Sequence, residues 1–210
     1  MKIEHFGSKI VEDFSWYFEK KYITPRDGNA CIKLNEEEFL ITPSGVQKQN
    51  MTLDVLIKIN KSGEKIEPSK FLPSIETMAH LAALDVRNSE VSVHVHSLNT
   101  VSLFSLATKL NFLSLLEDNL KNQWPELFRY TKLGKTVPFL KPGSHELHDS
   151  IKDSFLKEKN TDIVVLDRHG IIATGESLEE CKEHILRLEH VSEVLIKMLT
   201  ASQFNLDVLR

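Results

Sequence analysis

Two histidines, His94 and His96, interrupt the valine-rich run EVSVHVHSLNT, residues 90–100. In a strand successive side chains point to opposite faces, so Val91, Val93 and Val95 share one face and Ser92, His94 and His96 share the other. The two imidazoles therefore lie side by side. One reading is a half-exposed strand with a polar face that carries histidine. The other is a pair of zinc ligands, because neutral imidazole is the commonest protein ligand for zinc and the two-residue spacing aims both rings at one point. A metal centre then needs a third donor from elsewhere in the chain.

His169 is the candidate third donor. It sits in DRHG, residues 167–170, at a strand end beside Gly170, whose missing side chain lets another group approach closely. The other six histidines, His5, His80, His145, His148, His184 and His190, fall on apparent helices or in polar segments without strand-paired spacing. His80 is expected in the core. Cys31 and Cys181 form neither a C-x-x-C pair nor a disulfide framework and are expected to be small buried thiols.

The elements that must position these groups are mixed α and β. Residues 7–23 read as an amphipathic helix, with Ile10, Phe14, Tyr17 and Phe18 at helical spacing. Short strands are expected at ACIKL, EFLIT and DVLIKIN, joined by polar connections. A helix over residues 74–86 follows, with Ser74 as its N-cap and Glu76 in the acidic first turn. After the histidine strand, NTVSLFSLATKL reads as a helix, and residues 113–128 as helical or irregular. KTVPFL, DIVVL and GIIATG look like strands, the last two joined by the tight DRHG connection. The S-x-x-E pair Ser177 and Glu180 opens a closing helix whose apolar stripe is Leu188, Val191, Leu195 and Met198. The expected fold class is α/β: one domain, residues 1–210, with a central mainly antiparallel sheet flanked by helices.

Composition fits that fold. The chain has 210 residues, 41% hydrophobic and 27% charged, enough for one large core. Its 26 basic and 30 acidic residues nearly balance, so neither a nucleic acid nor a membrane surface is indicated as partner, while small anionic ligands remain open. No charged-then-apolar leader and no apolar run near the ~20 residues of a bilayer span is seen, so a cytoplasmic protein is expected.

The ordered segments DGNACIKL, FLITPSGV, LPSIETMAHLAAL, VHVHSLNTVSL, VPFLKPGSHEL and DRHGIIATGESLEE resemble the class II aldolase/adducin family, from about Tyr22 to Leu199. The H-x-H, the later H-G and the glutamate-bearing helix are its strongest elements. The resemblance implies zinc held by His94, His96 and His169, and an acid/base role for Glu76. Three neutral imidazoles leave zinc its full charge and an open position, where a carbonyl and its neighbouring hydroxyl are polarised beside a carboxylate that moves a proton. It also implies a phosphate pocket from Asn29, Ser44, Gly45 and Ser74, since hydroxyls, an amide and backbone N–H groups suit a phosphate dianion.

The implied function is a zinc-dependent lyase on a small phosphorylated sugar or keto acid, first by aldol cleavage through a zinc-stabilised enediolate. Dehydration of the methylthioribulose-1-phosphate type, with Glu117 or Asp118 as the acidic residue, and sugar-acid-phosphate decarboxylation are the neighbouring branches. A non-catalytic adducin-like binding protein is the alternative from another class. The family also implies a homotetramer with active sites at subunit boundaries. Cys31 stands where the family has a serine, and Ile75 where aldolases commonly have a second small polar residue. The C-terminal tyrosine that many of these aldolases use as a proton donor has no counterpart, the last tyrosine being Tyr130.

Overall fold

The chain was analysed as a computed structural model that describes residues 2–158 and 160–209. Six strands, β1 (Asn29–Lys33), β2 (Glu38–Ile41), β3 (Ile57–Asn60), β4 (Val91–Val95), β5 (Ile163–Leu166) and β6 (Gly170–Gly175), form one sheet in the order β3-β2-β1-β4-β6-β5. Every neighbouring pair is antiparallel. The single α/β domain and its mainly antiparallel sheet are as the sequence predicts. The histidine strand β4 is central, paired with β1 on one side and β6 on the other, so His94 faces Asn29 and Ile172 across the ladders.

Both faces of the sheet are covered. The valine face of β4 meets the largest core, which includes Ile10, Phe14 and Tyr17 of α1 (Lys2–Glu19), Leu103 and Phe104 of α3 (Leu98–Lys109), Leu116 of α4 (Leu113–Gln123), Leu127 of α5 (Pro125–Tyr130) and Leu188 of α7 (Leu178–Ala201). The other face is covered by α2 (Thr77–Arg87) and α6 (His145–Lys157). All five residues of β4 are buried in consequence. The alternation of the valines and histidines is as predicted, but the histidine face points into protein and not into solvent. Cys31 and Cys181 are buried free thiols, also as expected.

Several local expectations are corrected. The helix after Pro73 starts at Thr77, not at Ser74. Ser74 Oγ accepts the N–H of Glu76 only two residues on, a tight turn that competes with helical continuation and leaves Glu76 at the boundary, outside the helical first turn. Residues 135–140 do not form a strand: Val137 makes an isolated bridge to Leu166, and Pro138 has no N–H with which to extend it. The first half of DVLIKIN is a 3-10 turn, Leu53–Val55, before β3. Helix α6 was not expected; Ser144 Oγ accepts from Leu147 N–H, and Leu147, Ile151 and Phe155 supply the buried stripe. In α7, Ser177 Oγ accepts from Glu180 N–H as predicted, while Glu180 Oε2 accepts from Glu176 rather than from the cap itself. Met198 lies off the buried stripe, 38% exposed.

No described helix is long and apolar enough to cross a membrane.

Candidate metal centre and phosphate pocket

The antiparallel pairing of β4 with β6 brings the turn before β6 against the C-terminal end of β4, because His94 pairs with Ile172 and Val95 with Ile171. Three imidazoles converge there. Ring centroids are 4.9 Å apart for His94 and His96, 4.9 Å for His94 and His169, and 5.2 Å for His96 and His169. One nitrogen from each lies within 4.8 Å of the others. Gly170 makes this approach possible: a Cβ there would lie 2.5 Å from Val95 O and 2.7 Å from His94 Cε1. The sequence reading of Gly170 as a site of close approach is correct.

The donor set fits a divalent ion. His94 Nδ1 donates to Ile171 O at 2.8 Å, which leaves Nε2 as a bare lone pair, 3.0 Å from His96 Nε2. His169 Nδ1 is buried without a hydrogen-bond partner among the described residues. Burial pushes His94 down to about 3 and lowers His96 as well, so both rings stay neutral, the form that binds a metal.

Glu76 completes the cluster. Its Oε1 lies 3.1 Å from His169 Nε2 and its Oε2 3.4 Å from His94 Nε2. Asn29 Nδ2 donates to Oε2 at 2.8 Å. Burial opposes ionisation of this carboxyl, but the facing His94 and His169 rings and the Asn29 amide outweigh it and hold it well below the usual carboxylate range.

A cavity of about 270 Å³ opens beside these groups. Asn29, Ser44, Gly45, Ser74 and Glu76 line it together with His96 and His169. The structure therefore brings together Asn29, Ser44, Gly45, Ser74, Glu76, His96 and His169, with His94 against His96 and His169. Gly28, at φ +72°, carries the chain past the carbonyl of His94, which a Cβ would meet at 3.0 Å. Ile75 also lines the cavity and is 62% exposed, while Cys31 sits in the core between the sheet and α2.

The acidic residues of α4 are not part of this cavity. Glu117 Oε1 accepts the N–H and the hydroxyl of Thr136, and Asp118 is exposed. Two residues beyond the sequence reading stand out. Lys48 lines the cavity, is almost fully buried, and donates through Nζ to Pro43 O at 3.1 Å and Val46 O at 3.2 Å. No carboxylate among the described residues pairs with it within 4.0 Å, and burial pushes it down to about 8 against the pull of Asp27. The lysine of PSGVQK was the available signal. His80, expected as core, is fully buried but polar in its contacts: Nε2 lies 2.5 Å from Asn29 Oδ1 and Nδ1 2.7 Å from Ser92 Oγ.

Known proteins resemble this chain in sequence and in fold. Residues 8–196 match the family model described as class II aldolase and adducin N-terminal domain. A methylthioribulose-1-phosphate dehydratase of Vanderwaltozyma polyspora is 28% identical over 205 residues, covering 90% of this chain and 76% of the relative. A 3-oxo-tetronate 4-phosphate decarboxylase of Haemophilus influenzae is 24% identical, covering 87% of this chain and 82% of its own. Among solved structures, a sugar-phosphate aldolase from Thermotoga maritima superposes with a TM-score of 0.78 at 22% identity, covering 96% of this chain and 97% of that one. With a family model matched over most of its length and a histidine trio where its motifs converge, the chain belongs to the class II aldolase and adducin family.

Proposed function

We propose that this chain is a zinc-dependent lyase of the cytoplasm that cleaves a small phosphorylated ketose by reversible aldol cleavage, giving dihydroxyacetone phosphate and an aldehyde. The observation that carries this reading is the position of the Glu76 carboxylate, 3.1 Å from His169 and 3.4 Å from His94, beside a cavity. An ion held by His94, His96 and His169 would supply a Lewis acid for the carbonyl and adjacent hydroxyl oxygens of the substrate. Glu76 then handles the carbon-bound proton. When the carbon–carbon bond breaks, the hydroxyl of the departing fragment gives its proton to solvent and becomes the aldehyde carbonyl, the bond electrons stay on the ketone fragment, and Glu76, having taken up one proton, delivers it to that carbon; in the reverse direction Glu76 removes the same proton.

The phosphate is assigned to the far side of the cavity. Asn29, Ser44 and Ser74 offer neutral donors, Gly45 offers an unshielded backbone, and Lys48 with Arg26 adds positive charge. Burial of Lys48 without a carboxylate leaves its charge available to an incoming dianion.

Dehydration is the second reading, favoured by the similarity to a methylthioribulose-1-phosphate dehydratase over 90% of the chain. The engagement of Glu117 with Thr136, away from the cavity, speaks against it. A homotetramer belongs to the same proposal, supported by the exposed apolar side chains of Leu72, Ile75 and Phe139. Light scattering that gives only monomer at micromolar concentration would overturn it.

The deciding experiment loads the protein with zinc, adds dihydroxyacetone phosphate in heavy water, and follows the carbon-bound protons beside the carbonyl by NMR. Stereospecific exchange is expected. No exchange by metal-replete protein would refute the aldolase reading, and turnover of methylthioribulose-1-phosphate would then establish the dehydratase.

A further inference from the structure

We infer that His80 is a positioning residue for the Glu76 carboxylate, acting through the Asn29 amide. The inference rests on the proposed acid/base role of Glu76, and it follows from tracing which atoms can donate. Asn29 Nδ2 donates to Glu76 Oε2 at 2.8 Å, so the amide faces the carboxyl group with its NH2. Asn29 Oδ1 then faces His80 Nε2 at 2.5 Å, and since an amide oxygen only accepts, Nε2 must carry the ring proton. A neutral imidazole has one N–H. Nδ1 is therefore the acceptor, and the Ser92 hydroxyl donates to it at 2.7 Å. Each group along Ser92, His80, Asn29 and Glu76 has a single possible role.

The route is a closed loop through three elements. His80 follows Glu76 by one helical turn, its backbone N–H donating to Glu76 O at 3.1 Å. Its side chain does not touch the carboxylate but reaches it through β1, where Asn29 pairs with His94 of β4. The Asn29 amide thus ties β1 to Glu76 and His80, and the Ser92 hydroxyl ties His80 to β4, the strand that carries His94. His80 is fully buried and Asn29 is 7% exposed, so bulk water has little access to replace either contact. Without the Nε2 proton, nothing on that side distinguishes the amide oxygen from its NH2. Asn29 Oδ1 then lacks its buried donor and only the bond to Glu76 holds the amide, so the amide and the carboxylate it orients shift together from their present positions.

A buried histidine that served only packing would also lower stability when replaced, so the test reads orientation. In zinc-loaded, isotope-labelled wild-type protein, long-range nitrogen–proton NMR should show the His80 proton on Nε2. In His80→Met, which keeps the volume but has no donor, the Asn29 side-chain amide resonances should move. The exchange rate at saturating dihydroxyacetone phosphate should fall about 10- to 100-fold, with half-saturation and zinc content within about twofold of wild type. His80→Gln, whose amide can reach the same point, should restore most of the rate and return the Asn29 resonances. A proton on Nδ1, or a folded His80→Met with unchanged Asn29 resonances and full rate, overturns the inference. If wild-type protein catalyses no exchange, the reaction assignment fails alone, and the His80 tautomer with the Asn29 resonances still decides the positioning role.

Discussion

Glu76 Oε1 lies 3.1 Å from His169 Nε2, so the residue that opens α2 meets the turn between β5 and β6 across one cavity. A carboxylate so close to two of three convergent imidazoles has no apolar packing role to fill. Its burial is offset by the Asn29 amide, which donates to Oε2 in place of water.

Removing one donor should empty the metal centre. His96→Ala is expected to weaken zinc binding by at least about 100-fold, since two imidazoles are one protein ligand fewer than the three that hold a catalytic zinc. Metal content measured after dialysis against a chelator buffer checks this. A full equivalent of zinc retained by the variant would contradict the assignment of the trio.

Glu76→Gln should separate metal binding from chemistry. The amide is nearly isosteric and the three imidazoles remain, so zinc content should be unchanged. Proton exchange should fall by about 10²- to 10⁴-fold, the usual worth of a positioned acid/base group. Exchange within threefold of wild type would remove Glu76 from the reaction.

Lys48→Met tests the phosphate assignment. Losing a charge-assisted contact worth about 1.5–3 kcal/mol should raise the half-saturating concentration of a phosphorylated substrate roughly 10- to 100-fold, with a smaller effect on the saturating rate. The pH dependence has a definite sign. Lys48 is depressed to about 8 in the free protein, so its charge is present below that pH and lost above it. Phosphate affinity in wild type should therefore weaken as pH rises through about 8, and this component should vanish in the variant.

Gly170→Ala should damage both fold and metal centre. Its Cβ would press on the backbone carbonyl of Val95 at 2.5 Å and on the ring of His94 at 2.7 Å, neither of which is a flexible end. A loss of about 1–3 kcal/mol in denaturant unfolding is expected, together with weaker zinc binding. Unchanged values of both would mean that the turn can shift freely.

The helix that follows the histidine pair is held by a carboxylate from another helix. Glu189 of α7 is buried and accepts from Asn99 N–H and Nδ2 through Oε1, and from Thr100 N–H and Oγ1 through Oε2, capping α3 in trans. Glu189→Ala leaves these donors without an acceptor and should destabilise the protein by about 2–4 kcal/mol in urea titration. A change under about 0.5 kcal/mol would show that water replaces the carboxylate.

By itself the sequence determined the period-two pattern of β4, the adjacency of His94 and His96, the close approach at Gly170 and the capped start of α7. Each is a local property, fixed by strand geometry, by a missing side chain or by a side chain reaching its own backbone. The DRHG turn offered His169 as a candidate, and the family motifs joined it to Glu76 and the residues of the cavity, because their order along the chain survives where their spacing in sequence says nothing about distance. Tertiary structure decided the rest. Only the β4–β6 ladder brings His169 to the pair, and only the cover of α2 and α6 turns a strand face that reads as half-exposed into a buried one. The turn at Ser74 that points Glu76 inwards looks in sequence like an ordinary helix cap. Lys48 and His80 look like a surface lysine and a core histidine, and their partners, Pro43 and Val46 carbonyls for one and Asn29 and Ser92 for the other, become visible only once the strands are paired. Side-chain roles that depend on long-range hydrogen bonds have no periodicity, so no pattern in the chain announces them.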